Sequence, residues 1–141
     1  MSDPLATVTA IYEAFGRGDI PAILEHVSDD VQWEAWADNA AQKAGVHWML
    51  PRRGKAGVLE FFQGVEEWLD IQEFRVLSVM AGGNQVAAEF VIEAKLKRGE
   101  GRYRDEEMHL WTFDESGKVI RLRHYLDTAK HVAVWQAARV A

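Results

Sequence analysis

The stretch "QVAAEFVIEAKL", residues 85–96, alternates without a break: Val86, Ala88, Phe90, Ile92, Ala94 and Leu96 share one face, with Gln85, Glu89, Glu93 and Lys95 mostly opposite. A period of two over this length specifies a strand with one dry face and one wet face. Such a strand cannot bury its apolar side alone; it needs a sheet and a second layer packed on that sheet. The neighbouring runs supply the sheet. "FRVLSVMA" turns at Gly82-Gly83-Asn84 into the alternating strand, and "KRGEG" makes the next turn into "RYRDEEMHLWTF". "DESGK" then leads to "KVIRLRHYLDT", so everything from Phe74 onward reads as an antiparallel meander.

The front of the chain supplies the second layer. Pro4 opens a helix with Leu5, Val8, Ile11, Tyr12 and Phe15 on its stripe, and Gly16 and Gly18 end it. Asp19 caps a short second helix with Pro21 in its first turn. "SDD" breaks the chain and "VQWEAW" reads as a strand. Residues 37–54 have no clean period and carry Gly45, Pro51 and Gly54, which suits a long loop with room for one helical turn, acting as a lid or pocket wall. "KAGVLEFFQGVEEWLD" is a third helix, with Val58, Phe62, Val65 and Leu69 on one stripe. Asp127 and Thr128 stand where an N-cap belongs, before the helical "AKHVAVWQAARV". The expected fold is one α+β domain over residues 1–141: a cone-like barrel with three N-terminal helices in the concave face of a curved, mainly antiparallel sheet.

Charge and composition narrow the function. With a formal charge of -6 and a pI near 5.3, the chain lacks the basic surface that nucleic acid requires, and "LPRRGK" is too short to supply one. There is no Cys, which removes thiolate chemistry and cysteine-based zinc sites and suits a reducing cytoplasm. "MSDPLATVTAIYEAF" has neither the basic start nor the apolar core of a signal peptide. The longest uncharged run, from Val76 to Ala88, is too short and too polar to span a bilayer. A soluble, cytoplasmic protein is expected. Six Trp and six Phe in 141 residues leave rings to spare for lining a small-molecule cavity.

The front "YEAFGRGDIPAILEHVSDDVQWE" and the late "FDESGKVIRLRHYLD" resemble the nuclear transport factor 2-like superfamily. Within it the chain is similar to SnoaL-like proteins, relatives of polyketide cyclases and ketosteroid isomerases. The resemblance implies the cone fold and a homodimer packed through the sheet's outer face. It does not carry over an active site intact. The isomerase tyrosine falls on Ile11, its general base on Ala35 and its protonated aspartate on His109. The epoxide hydrolase pattern places its first-strand Tyr and Asn on Trp33 and Ala35, its central Arg and Asp on Phe90 and Ile92, and its last-strand Asp on His124. The polyketide cyclase His and Asp fall about where His109 and His124 stand. One fold hosts many activities, so the residues must speak for themselves.

They speak through the last strand. Ile120, Leu122 and Leu126 share its apolar face, and His124 interrupts them. On "HLWTF", His109 shares a face with Trp111 and Phe113. Matching apolar faces pairs Phe113 with Ile120 and Trp111 with Leu122, leaves "ESGK" as the loop, and sets His109 opposite His124, Cβ atoms roughly 5 Å apart. Two imidazoles that close cannot both charge cheaply, so one can stay neutral while the other moves a proton. His109 as oxyanion donor or acid and His124 as base, with Tyr12 or Asp38 assisting, make a catalytic set for a small apolar carbonyl compound. Trp111, Phe90, Phe62, Leu122 and one of Trp33 and Trp36, which point oppositely, are the expected ligand walls. Each histidine alone reads more readily as a satisfied core residue, so it is the facing pair that raises function, and a non-catalytic ligand-binding module is the alternative. Two facing histidines with no carboxylate in register fall short of a metal site, so neither metal nor cofactor is expected. Arg121, Arg123 and Tyr125 share the outer face with Glu89 and Glu93, which suits ion pairs or a subunit interface.

Overall fold

In the computed structural model, which describes residues 3–36 and 38–140, the alternating stretch lies inside a six-stranded sheet. The strands are β1 (Val27–Ala35), β2 (Arg52–Arg53), β3 (Leu69–Gly82), β4 (Gln85–Leu96), β5 (Arg102–Phe113) and β6 (Val119–Tyr125). Their order is β2-β1-β6-β5-β4-β3, so β2 and β3 are unjoined edges and the sheet stays open. From β3 to β6 the chain meanders antiparallel as the sequence suggests. β1 instead lies parallel to β6, with Trp33 beside Leu122 and Ala35 beside His124. Far apart in sequence, these two strands are not bound to hairpin geometry, and the sheet is mixed.

Among the described residues, five helices accompany the sheet: α1 (Pro4–Gly16), α2 (Ile20–Leu24), α3 (Ala40–Lys43), α4 (Gly54–Trp68) and α5 (Thr128–Val140). The three foreseen N-terminal helices are α1, α2 and α4. Asp3 caps α1 by accepting from the Leu5 amide, and Asp19 caps α2 through Ala22. Along α1, Thr7, Val8, Ile11 and Ala14 form the buried stripe. Asp127 accepts from the Lys130 amide at 3.3 Å and caps α5.

Several expectations need correction. "SDD" does not break the chain but lies within β1, and β3 begins at Leu69 rather than Phe74. The segment read as a loop with one helical turn carries that turn as α3 but also a 3₁₀ turn at His47–Met49 and β2; its first residue, Ala37, lies outside the described residues. Phe113 pairs with Val119, not Ile120, because a register shift after Thr112 absorbs one residue. The β3–β4 hairpin closes on Gly83-Asn84, where Gly83 takes the positive φ of 58° that such a tight turn demands of its first residue. On the outer face, Glu93 and Glu73 pair with Arg104 at 3.5 and 2.7 Å, while Arg121 and Arg123 have no ion pair among the described residues.

The interior holds two cores. One gathers Val8, Ile11, Ile23, Val31, Trp33, Trp111 and Leu122 beneath α1 and α2. The other gathers Trp48, Trp68, Leu69, Phe90, Ile92, Tyr103 and Trp135 beneath α4 and α5. Phe61 packs against both.

Candidate functional site

Where the two cores meet, about 70 Å³ of free space remains, walled by rings that include Phe15, Trp33, Phe62, Phe74, Phe90 and Trp111. Its polar lining is Tyr12, Glu107, His109, His124 and His131, with the Trp48 and Tyr103 rings beside them. A larger open groove, about 1030 Å³, runs between α1, α4 and β3 and shares Tyr12, Phe15, Phe62 and Phe74 with the inner cavity. The groove and the cavity therefore share a wall.

Strand parity explains the polar lining. β5 turns Tyr103, Asp105, Glu107, His109, Trp111 and Phe113 inward, and the first three are buried despite two carboxylates. His109 stands opposite His124 in the ladder, with ring centroids 4.6 Å apart, and the Phe90 ring lies 4.4 Å from His109. From α1, the Tyr12 hydroxyl accepts the Trp111 indole N–H at 3.1 Å and meets His109 Nδ1 at 2.8 Å. An indole nitrogen only donates, so the Tyr12 hydrogen is free to go to Nδ1. Burial pushes the Tyr12 phenol upward, partly offset by the Trp111 bond, and keeps that hydrogen in place. His109 thus accepts at Nδ1 and carries its proton on Nε2. Burial, reinforced by neighbouring His124 and opposed by Glu107, lowers its pKa well below the usual 6.5. His109 is a neutral donor.

His124 is held differently. Its Nε2 lies 2.7 Å from Glu107 Oε1, and Glu107 Oε2 lies 2.9 Å from His131 Nε2. Burial works against the Glu107 charge, but the charge and hydrogen bond of His124, with those of His131, outweigh it and hold the carboxyl well below the usual range. An ionised carboxylate only accepts, so His124 donates from Nε2. Its Nδ1 has no hydrogen-bond partner among the described residues, and neither does His109 Nε2. The two rings therefore offer the cavity opposite functions: a donor on His109 and, when the His124 ring carries one hydrogen, on Nε2, a lone pair on its Nδ1.

Behind Glu107, His131 Nε2 also meets Asp105 Oδ2 at 3.0 Å, and the Trp48 indole donates to His131 Nδ1 at 2.8 Å. Burial disfavours charge on His131, yet the bonds to Asp105 and Glu107 and their charges give a net upward shift. A second proton can go only to Nδ1, so charging the ring costs the Trp48 bond. Asp105 is supported by Lys130 at 3.6 Å and by the Asp127 amide at 3.2 Å.

Asp105, Glu107 and His131 bring three ligand atoms within 4.8 Å of one another, a spacing a cation could use. A metal on His131 would need the Nε2 lone pair. Trp48 occupies Nδ1, which leaves the ring's hydrogen on Nε2 and facing both carboxylates. The cluster is built as a hydrogen-bonded group and does not fit a cation in this tautomer.

Of the residues singled out from sequence, Tyr12, His109, His124, Trp33, Phe62, Phe90, Trp111 and Leu122 all line the cavity. Asp38 does not: it is exposed, with a φ of 60°, outside the cavity lining. Trp36 stacks on Tyr125 with centroids 5.3 Å apart, so Trp33 is the cavity tryptophan. The expectation that no carboxylate joins the two histidines is corrected by Glu107, two positions before His109 and therefore on its face. Parity alone could have found it. His131 and Trp48 carried no such signal.

Residues 8–122 match the family model described as a SnoaL-like domain. Among solved structures, the chain is similar to an NTF2-like protein of unknown function from Burkholderia pseudomallei, at 20% identity and TM-score 0.82, covering 97% of this chain and 100% of that one. It is also similar to TerC co-crystallised with polyporic acid, at 22% identity and TM-score 0.79, covering 96% and 99% of the two chains. A proposed SnoaL-like polyketide cyclase from Mesorhizobium loti matches at 20% identity and TM-score 0.69, covering 88% and 99%. Likeness at these identities is likeness of fold. No curated protein matches in sequence.

Proposed function

The chain belongs to the SnoaL-like domain family, within the nuclear transport factor 2-like superfamily, and from that premise we propose a cofactor-free acid–base enzyme. Its substrate is a small, mainly apolar, carbonyl-bearing molecule, and its reaction is of isomerase, cyclase or lyase type. The observation that carries this reading is two touching imidazoles held by different partners, Tyr12 on His109 and Glu107 on His124, an arrangement that favours opposite roles for the two rings. The His124 Nδ1 lone pair takes a proton from carbon beside the carbonyl, while His109 Nε2–H donates to the oxyanion that develops. Glu107 stabilises the imidazolium so formed. The aromatic walls exclude water and hold the ligand. The fold neighbour crystallised with polyporic acid supports a small-molecule occupant, without naming this one.

The test begins with native mass spectrometry of the purified protein, where a co-purified compound would name the substrate. Turnover is then compared in His124→Gln and His109→Gln. Loss of one acid–base group costs about 10²–10⁴-fold in kcat. Undiminished kcat in His124→Gln, or tight binding with no turnover of any co-purified compound, would sink the enzymatic reading and leave a ligand-binding module.

We further propose a cytoplasmic homodimer joined through the sheet's outer face. Exposed Met80 and Tyr125 lie on that face, with Ala87, Leu110 and Arg123 filling the ladder row that starts at Met80. Neither nucleic acid nor membrane is a partner in this reading. Among the described residues, no helix is long and apolar enough to cross a membrane. Light scattering at micromolar concentration reads the mass, and a monomer would overturn the dimer.

A further inference from the structure

A base that takes a proton must pass it on, and the surroundings of His124 restrict where it can go. Behind the ring, the hydrogen-bonded path runs from Glu107 to His131 to Asp105 and ends at Lys130, a partly exposed side chain. This resembles an exit to solvent. For a proton to leave by it, Glu107 would first accept the His124 Nε2 hydrogen and then hand one to His131 Nε2. That nitrogen must offer a lone pair at that moment. It does not, because the Trp48 indole, which can only donate, already points its hydrogen at His131 Nδ1 from 2.8 Å. The neutral ring keeps its own hydrogen on Nε2, facing Asp105 and Glu107.

We infer that Trp48 and His131 form a proton stop behind the His124–Glu107 pair, so that a proton taken from a ligand by His124 returns to that same ligand. The inference rests on the acid–base reading for its chemical consequence, but the stop is a property of the protein alone. The step balances without a co-reactant. The Nδ1 lone pair of His124 accepts the ligand's proton, and the electron pair of the broken C–H bond stays on the ligand as an enolate, held by His109 Nε2–H. Where a β,γ double bond of the ligand extends the enolate to a dienolate, Nδ1 then returns the proton to the γ carbon, the double bond moves into conjugation with the carbonyl, and the ring is neutral again. Glu107 stays ionised throughout, accepting the His124 Nε2 hydrogen. The consequence is a proton-conserving transfer, which favours isomerisation over elimination with loss of the proton to water. Trp48 and His131 border the cavity but act in this scheme through Glu107; they are positioning residues, and they make the 3₁₀ turn and α5 part of the site.

The groups that face His131 are Asp105, Glu107 and the Tyr103 ring from β5, and Trp48 from the 3₁₀ turn, with Lys130 and Asp127 behind Asp105. Substituting Trp48→Phe removes one hydrogen bond among these and no charge. The test uses the whole protein labelled with ¹⁵N-histidine and reads ring tautomers by long-range ¹H–¹⁵N NMR. In the wild type, read at the alkaline end of a pH titration because, against burial, Asp105 and Glu107 shift His131 upward, the neutral ring should show hydrogen on Nε2 and none on Nδ1. In Trp48→Phe, the proton affinity of His131 should rise about tenfold, roughly what one lost hydrogen bond is worth, moving its titration up by about one pH unit. The His124 Nε2 hydrogen should exchange with water about tenfold faster, for the same reason. A neutral wild-type His131 ring with its hydrogen on Nδ1 overturns the stop, and so does a folded Trp48→Phe variant whose titration and exchange are unchanged. If the variant fails to fold, the wild-type tautomer still decides. Because no turnover is measured, failure here leaves the assignment of His124 as base standing, and failure of that assignment leaves the stop testable.

Discussion

Replacing Glu107 with Gln keeps the shape of the side chain and removes its charge, which makes it a clean probe of the buried network. Glu107 is 4% exposed and accepts from His124 at 2.7 Å and from His131 at 2.9 Å. A glutamine has one accepting oxygen and one donating NH₂. His131 cannot turn over while Trp48 holds its Nδ1, so the oxygen must face His131 and the NH₂ must face His124. His124 can relieve that contact only by moving its hydrogen to Nδ1. The variant therefore presents the cavity with a second donor and no base.

The magnitude follows from the two bonds. Hydrogen bonds to a charged partner are worth about 1.5–3 kcal/mol and neutral ones about 0.5–1.5, so converting both costs about 2 kcal/mol. In a chain of this size that lowers Tm by roughly 7 °C. The pH dependence is more diagnostic. The Glu107 pKa is held below its ordinary value in the fold. Its contribution is therefore present above the unfolded carboxylate pKa, about 4.3, and is lost as pH falls from there through the folded value. Urea titrations of wild type and Glu107→Gln, followed by tryptophan emission, should diverge most near neutral pH and converge in acid. A variant that melts with the wild type at pH 7, or a gap that persists unchanged to the lowest pH at which both fold, would falsify the placement of a charged carboxylate between the two histidines.

Tyr12→Phe strands the Trp111 indole hydrogen and His109 Nδ1 together, which should cost about 1–3 kcal/mol in the same titration, and equal stability would remove the Tyr12 bond from the site. His109 has its pKa lowered by burial, so it favours the fold above the unfolded histidine value near 6.5 and withdraws that support as pH falls. His109→Leu should flatten the stability loss between about pH 6.5 and 5, and an unchanged slope counts against a neutral His109. Gly64 lies under the His47 ring, where an added Cβ would come 2.2 Å from Cε1 and 2.5 Å from Nδ1. Gly64→Ala should therefore destabilise despite its better helix propensity, whereas in a His47→Ala background it should stabilise by up to about 1 kcal/mol; the same sign in both backgrounds refutes the contact.

The hairpin between β5 and β6 was legible because two apolar faces admit one register, and that register alone brings His109 against His124. The errors there, the partner of Phe113 and the loop, which is 114–118 instead of "ESGK", came from one register shift, and shifts leave no mark on the alternation. The parallel β1–β6 pairing was not legible, since nothing local joins strands so far apart in sequence. The site was half legible for a different reason. In "RYRDEEMHLW" the charges hide the period: Arg102, Arg104 and Glu106 face out while Tyr103, Asp105 and Glu107 face in. A hydropathy reading takes the whole run as wet on both faces. Parity does not, because a strand that turns His109 and Trp111 inward must turn Glu107 inward as well. A carboxylate forced into a dry interior must be paired, and its partners have to come from other elements. Here they come from β6 and α5. His131 shows no anomaly in its own helix, where it reads as one more position on the stripe with Trp135 and Ala138. Its signal lies in β5, as an unmet demand for a donor. A buried carboxylate placed by parity therefore predicts a donor, on another element, before that donor can be named.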